Sequence, residues 1–245
     1  MSAVGTKNPQ GSRGKATSPG LPGAACLYLV AVALAAGLGT AFLPNVSATG
    51  NHGLGVFAVL AGCAALAQLS VVRTTGNQLY HVAIAFTVAA ALLLPPALLA
   101  LMCVVQHVPD WFKERYPWYI QAFNICNFTM NALVALGAAR LILSVDGGSE
   151  QTRWALAGLA ASSAFVTLNH VVLAGMLRLA RRLSFGASGL FAAKSLLVDL
   201  ALANLGLALA AFWGWNSVLV IATVAPLAIV YRSLRTTFAP PPVTA

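Results

Sequence analysis

Hydrophobic positions run along this chain in long unbroken blocks, and polar residues are confined mainly to the short gaps between them. Read as spans, the blocks cover residues 24–43, 53–71, 77–94, 96–109, 118–143, 154–177, 190–211 and 215–231. Most have the length a helix needs to cross a hydrocarbon core about 30 Å thick. They are continuously apolar and lack the two-residue alternation of a barrel strand. The pattern predicts an all-α fold, a polytopic transmembrane helix bundle of seven to eight membrane segments, one of them broken or reversed at Pro95-Pro96. The five tryptophans, Trp111, Trp118, Trp154, Trp213 and Trp215, fall at or near block ends. Amphipathic indoles collect there, at the membrane–water boundary.

The stretch LLLPPALLALM, residues 92–102, decides the sidedness of everything after it. Proline lacks a backbone N–H and disfavours helix in the residue before it, so the pair can either kink one span or end one helix and start another. Charge separates the two readings. Suppose residues 77–109 cross once and the amino terminus is cytoplasmic. Lys7, Arg13, Lys15, Arg73, Arg140 and Arg153 then lie inside, while Lys113, Arg115, Arg178, Arg181, Arg182, Arg232 and Arg235 lie outside, which is no preference at all. If the chain reverses, only Arg140 and Arg153 remain outside, beside Asp146 and Glu150, with Lys194 uncounted inside a span. The positive-inside rule therefore favours reversal, with both termini cytoplasmic. The difficulty is length. Fourteen residues from Pro96 to Pro109 make about 21 Å of helix, so 96–109 is expected to be a short span flanked by protein or a re-entrant segment.

Composition fits a membrane protein. Charged residues make up 8% of the 245, against about a quarter in a soluble domain. The net charge of +9 sits at block ends and not along one polar face. Without a recognition motif it points to membrane lipid as partner and to no nucleic acid. Residues 1–22 read as a disordered basic cytoplasmic tail, 23–235 as the transmembrane helical domain and 236–245 as a Pro-rich carboxyl-terminal tail. A cleaved signal ending at Val46-Ser47-Ala48 is the lesser reading, because its apolar core is long and further spans follow. Cys26, Cys63, Cys103 and Cys126 all lie in apolar blocks and form no CxxC pair. They read as small buried hydrophobes, not as a disulfide framework or a metal site.

No nucleotide-binding glycine loop, HExxH or nucleophile elbow is present, so no catalytic residue, metal or cofactor is expected. The candidate chemistry is in polar side chains within the spans. Gln121, Asn124, Asn127 and Asn131 recur at helical spacing on one face. Asn169 and His170 lie deep in 154–177, and Asp199 lies about mid-span in 190–211, near Lys194 and Ser195. Asparagines in spans most often hydrogen-bond between helices to fix packing, a polar ligand pocket being the other reading. Ionisable groups at depth are costly and point to function. The candidate ligand-binding residues are therefore Asn124, Asn127, Asn131, His170 and Asp199. A bond between His170 and Asp199 would stabilise imidazolium and could sense pH. Arg178, Arg181 and Arg182 read as anchors to anionic headgroups.

Four stretches in order, LAQLSVVRTTGNQLYHVAIAFTVAAALLLPPALLALM, WYIQAFNICNFTMNAL, LFAAKSLLVDLALANLGLALA and LAIVYRSLR, cover most of residues 60–235. They resemble the multi-helix membrane sensor module found ahead of diguanylate cyclase (GGDEF) and HD-GYP phosphodiesterase domains in bacterial signalling proteins. A fainter likeness is to the substrate-binding component of energy-coupling-factor vitamin transporters. The first resemblance implies a cytoplasmic carboxyl terminus, with an output domain following YRSLR. Here TTFAPPPVTA follows instead, so the expected partner is a separate cytoplasmic signalling protein, and a homo-oligomer is a further expectation. The expected function is a non-enzymatic sensory or regulatory module of the bacterial inner membrane, passing a helix-packing change to the cytoplasm. The alternative is a small-solute transporter, or a membrane subunit of one, with the candidate residues forming a midplane site.

Overall fold

A computed structural model describes residues 21–48, 53–69, 72–73, 79–115 and 117–238. The tail readings for 1–20 and 239–245 lie outside them. The described chain is helical: α1 (Gly23–Phe42), α2 (Leu54–Gln68), α3 (Ala83–Leu93), α4 (Pro96–Glu114), α5 (Trp118–Leu143), α6 (Glu150–Arg181), α7 (Ala193–Trp215) and α8 (Ile221–Phe238). The strands β1 (Val72–Arg73) and β2 (Leu79–Tyr80) form a minimal antiparallel pair between α2 and α3, with Val72 opposite Tyr80.

Helices α1, α5, α6 and α7 are long and apolar enough to cross a membrane. On α1 the inward residues Ala25, Leu29, Val32 and Ala36 are matched by an equally apolar outward set, Leu27, Val30, Leu34, Leu38 and Phe42. A helix lying against water carries polar residues on its outer face. This outer face suits an apolar surrounding, and together the apolar helices suggest a membrane protein.

Side-chain bonds fix the path of the chain at the paired prolines. Thr87 Oγ1 donates to Gln106 Oε1 at 3.0 Å, although the two would lie about 28 Å apart along one straight helix. The Ala97 amide meets Asn45 Oδ1 at 3.4 Å, beside the α1–α2 connection, and Lys113 Nζ donates to the Leu69 carbonyl at 3.0 Å, beside the end of α2. Helix α4 therefore runs alongside α2, and α3 and α4 form an antiparallel hairpin. The turn is two extended residues, Leu94 (ψ 148°) and Pro95 (ψ 159°). Pro96 then opens α4 at a position where the missing N–H has no intrahelical partner to lose.

The length problem falls elsewhere than expected. Helix α4 does not end at Pro109 but continues through it to Glu114, giving 19 residues and about 28 Å. The short member of the hairpin is α3, with 11 residues and about 16 Å. Every residue of α3 except Phe86 is buried, among α2, α4, α5, α6 and α7. A helix too short to span is thus covered by protein, as a hydrocarbon setting requires.

The helices alternate in direction and so define two ends. At one end lie the α1–α2 connection, the Leu94–Pro95 turn, the α5–α6 connection and the α7–α8 connection. Arg140 ties this end together by donating to the carbonyls of Pro44 and Val46, and Arg153 Nη1 donates to the Leu143 carbonyl at 3.4 Å. At the other end lie the β1–β2 pair, the end of α4, the α6–α7 connection and the last turns of α8, which packs against β1. Tyr28 Oη donates to the Val172 carbonyl at 3.2 Å, placing the start of α1 there too. Lys113, Arg115, Arg178, Arg181, Arg182 and Arg232 share this basic end. Lys194, in the first turn of α7, lies toward the same end. Both arginines at the opposite end are engaged with backbone carbonyls.

Candidate functional site

The polar residues of the interior are organised around α6. This helix is capped by Ser149, whose hydroxyl accepts from the Thr152 amide at 3.1 Å, and ends with Arg178 and Arg181 in its last turn, where cations suit the helix dipole. Asn169 and His170 are consecutive on α6, so they point about 100° apart and meet different neighbours.

Asn169 faces α5. Its Oδ1 accepts from Asn127 Nδ2 at 2.7 Å and from Asn131 Nδ2 at 3.2 Å, and Asn131 Nδ2 also reaches Asn127 Oδ1 at 3.0 Å. The result is a closed asparagine triad joining α5 to α6. Asn131 is 0% exposed, and its own Oδ1 has no hydrogen-bond partner. The four-residue face expected on α5 does not act as a unit. Asn124 is half-buried and stands outside the triad. Gln121 turns to α4, where its Nε2 donates to the His107 carbonyl at 2.6 Å.

His170 faces α7. Its Nε2 lies 2.8 Å from Asp199 Oδ2 and its Nδ1 lies 2.7 Å from the Leu190 carbonyl. A carbonyl only accepts, so Nδ1 carries hydrogen. The Nε2–Oδ2 edge then holds one further proton, as imidazolium facing carboxylate or as imidazole facing carboxylic acid. Both arrangements are neutral overall, which makes the pair tolerable where His170 is 1% and Asp199 6% exposed. Asp199 Oδ1 is buried without a partner.

The depth of the pair differs from the mid-span expectation. Helix α7 begins at Ala193, so Asp199 lies only about 9 Å along it from the basic end. The connection 182–192 folds over the pair with the Leu190 carbonyl and with the Phe191 ring, whose centroid is 6.2 Å from that of His170. The triad and the pair occupy different faces of α6 and do not combine into one midplane pocket.

A second polar cluster escaped sequence reasoning. The His81 and His107 rings stand edge-on to Phe128 at 6.3 and 4.9 Å, and Thr87 and Gln106 lie buried alongside on the same hairpin. His107 Nδ1 donates to the Cys103 carbonyl at 2.8 Å, while Gln106 Nε2 and His81 Nδ1 have no partner. The signal was present in the sequence as polar residues at similar distances on either side of Pro95-Pro96. It becomes visible only once the hairpin is assumed. Among the described residues, no three His, Cys, Asp or Glu side chains converge as metal ligands.

The triad makes a specific prediction. Asn131→Ala removes the donor shared by two acceptors and should lower stability by about 1 kcal/mol, since interhelical polar bonds in membranes contribute about 0.6 kcal/mol each on average and up to about 1.7. Asn124→Ala should stay within about 0.5 kcal/mol of the parent. Equilibrium unfolding in mixed micelles measures both, and equal losses would contradict the triad. No protein-family model, curated protein or solved structure matches this chain, so the chemistry of the site rests on its own geometry.

Proposed function

We propose that this chain is a non-enzymatic sensory or regulatory module of a bacterial inner membrane. It has seven to eight membrane segments and cytoplasmic termini, and it relays a change in helix packing to its basic end. One observation carries the reading: consecutive residues of α6 bond to α5 on one side and, through His170–Asp199, to α7 on the other. Any rotation or shift of α6 is felt by both neighbours. Helix α7 leads through a 3-10 turn into α8, which carries the YRSLR stretch. In the module that this chain resembles, an output domain follows there. The receiver would be a separate cytoplasmic signalling protein contacting α8, and a second copy of the chain is a further candidate partner. The gathering of basic side chains at the end that holds both described termini supports the orientation. A stimulus shifts such an equilibrium only by its differential affinity for the two packings.

The test compares cells lacking the gene, cells complemented with the parent, and cells complemented with Asp199→Asn. Deletion should change the cyclic-dinucleotide level, the parent should restore it, and Asp199→Asn should fail while accumulating normally in the membrane. An unchanged level, together with solute uptake by purified protein in liposomes that Asp199→Asn abolishes, would overturn this reading in favour of transport.

A further inference from the structure

The α6–α7 connection has the make-up of a lipid-facing lip. Arg178, Arg181 and Arg182 precede it and Lys194 follows it, and no acidic residue occurs between residues 151 and 198. Within it, Phe185 and Phe191 are 44% and 40% exposed, so aromatic rings stand at the surface among the cations. The Arg178 guanidinium lies over the Phe185 ring at 5.9 Å, and the Phe185 and Phe191 centroids are 6.0 Å apart. Exposed aromatics interleaved with arginine form the pattern of a segment seated at the level of headgroups, with rings toward the acyl boundary and charge toward phosphate.

The lip is preorganised. Ser184 Oγ accepts from the Ala187 amide at 3.1 Å, Ser188 Oγ donates to the Phe185 carbonyl at 2.6 Å, and Gly189 takes the left-handed φ of 70° that lets the chain turn down toward α7. The residue that follows this turn is Leu190, whose carbonyl receives His170 Nδ1. A continuous path of contact thus runs from Arg178 through Phe185 and Phe191 to the buried His170–Asp199 bond.

We propose that the lip formed by Arg178, Arg181, Arg182 and residues 183–192 binds the phosphate of anionic phospholipid headgroups, and that its seating controls closure of the His170–Asp199 bond. This deepens the function proposed above by naming its stimulus as leaflet charge, and it rests on that reading for the placement of the basic end at a lipid–water boundary. Bound lipid draws the arginines and rings outward together and moves the Leu190 carbonyl with them. Removing that carbonyl from Nδ1 leaves a buried N–H unmatched, so the pair must re-form its contacts or open.

The test uses the purified full chain in vesicles of phosphatidylcholine alone or mixed with phosphatidylglycerol. Lipid retention is read by native mass spectrometry, and amide exchange is read over residues 184–199. Phosphatidylglycerol should be retained selectively and should slow exchange in 184–192. Exchange in the first turns of α7, around Asp199, should change with it. The exposed double variant Arg181→Gln/Arg182→Gln should lose roughly thirtyfold in affinity, the effect of two basic side chains at an anionic surface, and Arg181→Lys/Arg182→Lys should retain it. Soluble glycerol phosphate should not compete. Equal retention of the two lipids, or no loss in the glutamine variant, would overturn the site, and competition by glycerol phosphate would overturn the lipid as its ligand. Slowed exchange in the lip with none of the change in α7 would overturn the coupling. These readouts need neither cellular sidedness nor a cyclic-dinucleotide response, so their failure is separable from failure of the function itself.

Discussion

Asp199→Ala is expected to cost about 3 kcal/mol or more of unfolding free energy, the loss typical when one partner of a buried ion pair is deleted. The substitution removes the carboxyl group that meets His170 Nε2 and leaves the imidazole buried, with its Nδ1 still committed to the Leu190 carbonyl. Desolvation then acts without the compensating bond. The paired change His170→Phe/Asp199→Leu removes both polar groups at once. It should be more stable than either His170→Phe or Asp199→Leu alone, because neither side chain is left facing a missing partner; the Leu190 carbonyl loses its donor equally in His170→Phe and in the double variant. Equilibrium unfolding in mixed micelles of the two single variants and the double variant closes the thermodynamic cycle. Additive losses would show that the two side chains do not depend on one another, contrary to the 2.8 Å contact.

The second large effect is expected at Gly206 on α7. A Cβ built there would fall inside the van der Waals envelope of the Ala85 carbonyl oxygen and 3.1 Å from Val88 Cβ. The obstacle is backbone of α3, a buried helix that has no free side to move toward. Gly206→Val should therefore separate α3 from α7, at about 3 kcal/mol, the upper part of the range for overpacked cores. Gly158 on α6 provides the internal control. There the three atoms nearest the added Cβ all belong to the side chain of Leu207, which can change rotamer, and none is backbone. Gly158→Ala should be tolerated, with a loss under about 1 kcal/mol. Thermal inactivation in detergent ranks the variants, and similar losses at both positions would contradict the close α3–α7 crossing.

The sequence was most readable where length and polarity act alone. The apolar blocks give α1 and α5 almost to the residue, and the tryptophans mark the ends of α4, α5, α6 and α7. The bond between His170 and Asp199 was foreseen only as a conditional, since nothing in one sequence brings residues 29 apart together. What the sequence hid depends on tertiary cover. Pro109 looks like a helix stop because it removes one intrahelical bond, but the flanking turns of α4 pack on α2 and α5 and carry the helix on to Glu114. Residues 77–82 look like part of a span only because they run directly into the apolar block behind them, for Asn77, Gln78 and His81 are polar; Leu79–Tyr80 instead pairs with β1 and leaves α3 to start at Ala83. The asparagine face of α5 was legible as a face. Which members faced α6 and which faced α4 was set by the helix crossing angles, which no periodicity records.

The doubling-back at Pro95-Pro96 underlies the orientation, the proposed route through α8 and the lipid lip. Cysteine accessibility in sealed cells tests it most directly, using single substitutions Val46→Cys, Asp146→Cys and Ala187→Cys in a chain whose four native cysteines are replaced. All three positions are exposed. Positions 46 and 146 should react with an impermeant thiol reagent added outside, and position 187 should react only after the membrane is opened. Labelling that places 46 and 146 on opposite sides of the membrane would mean that the chain passes straight through the prolines, and would contradict the account.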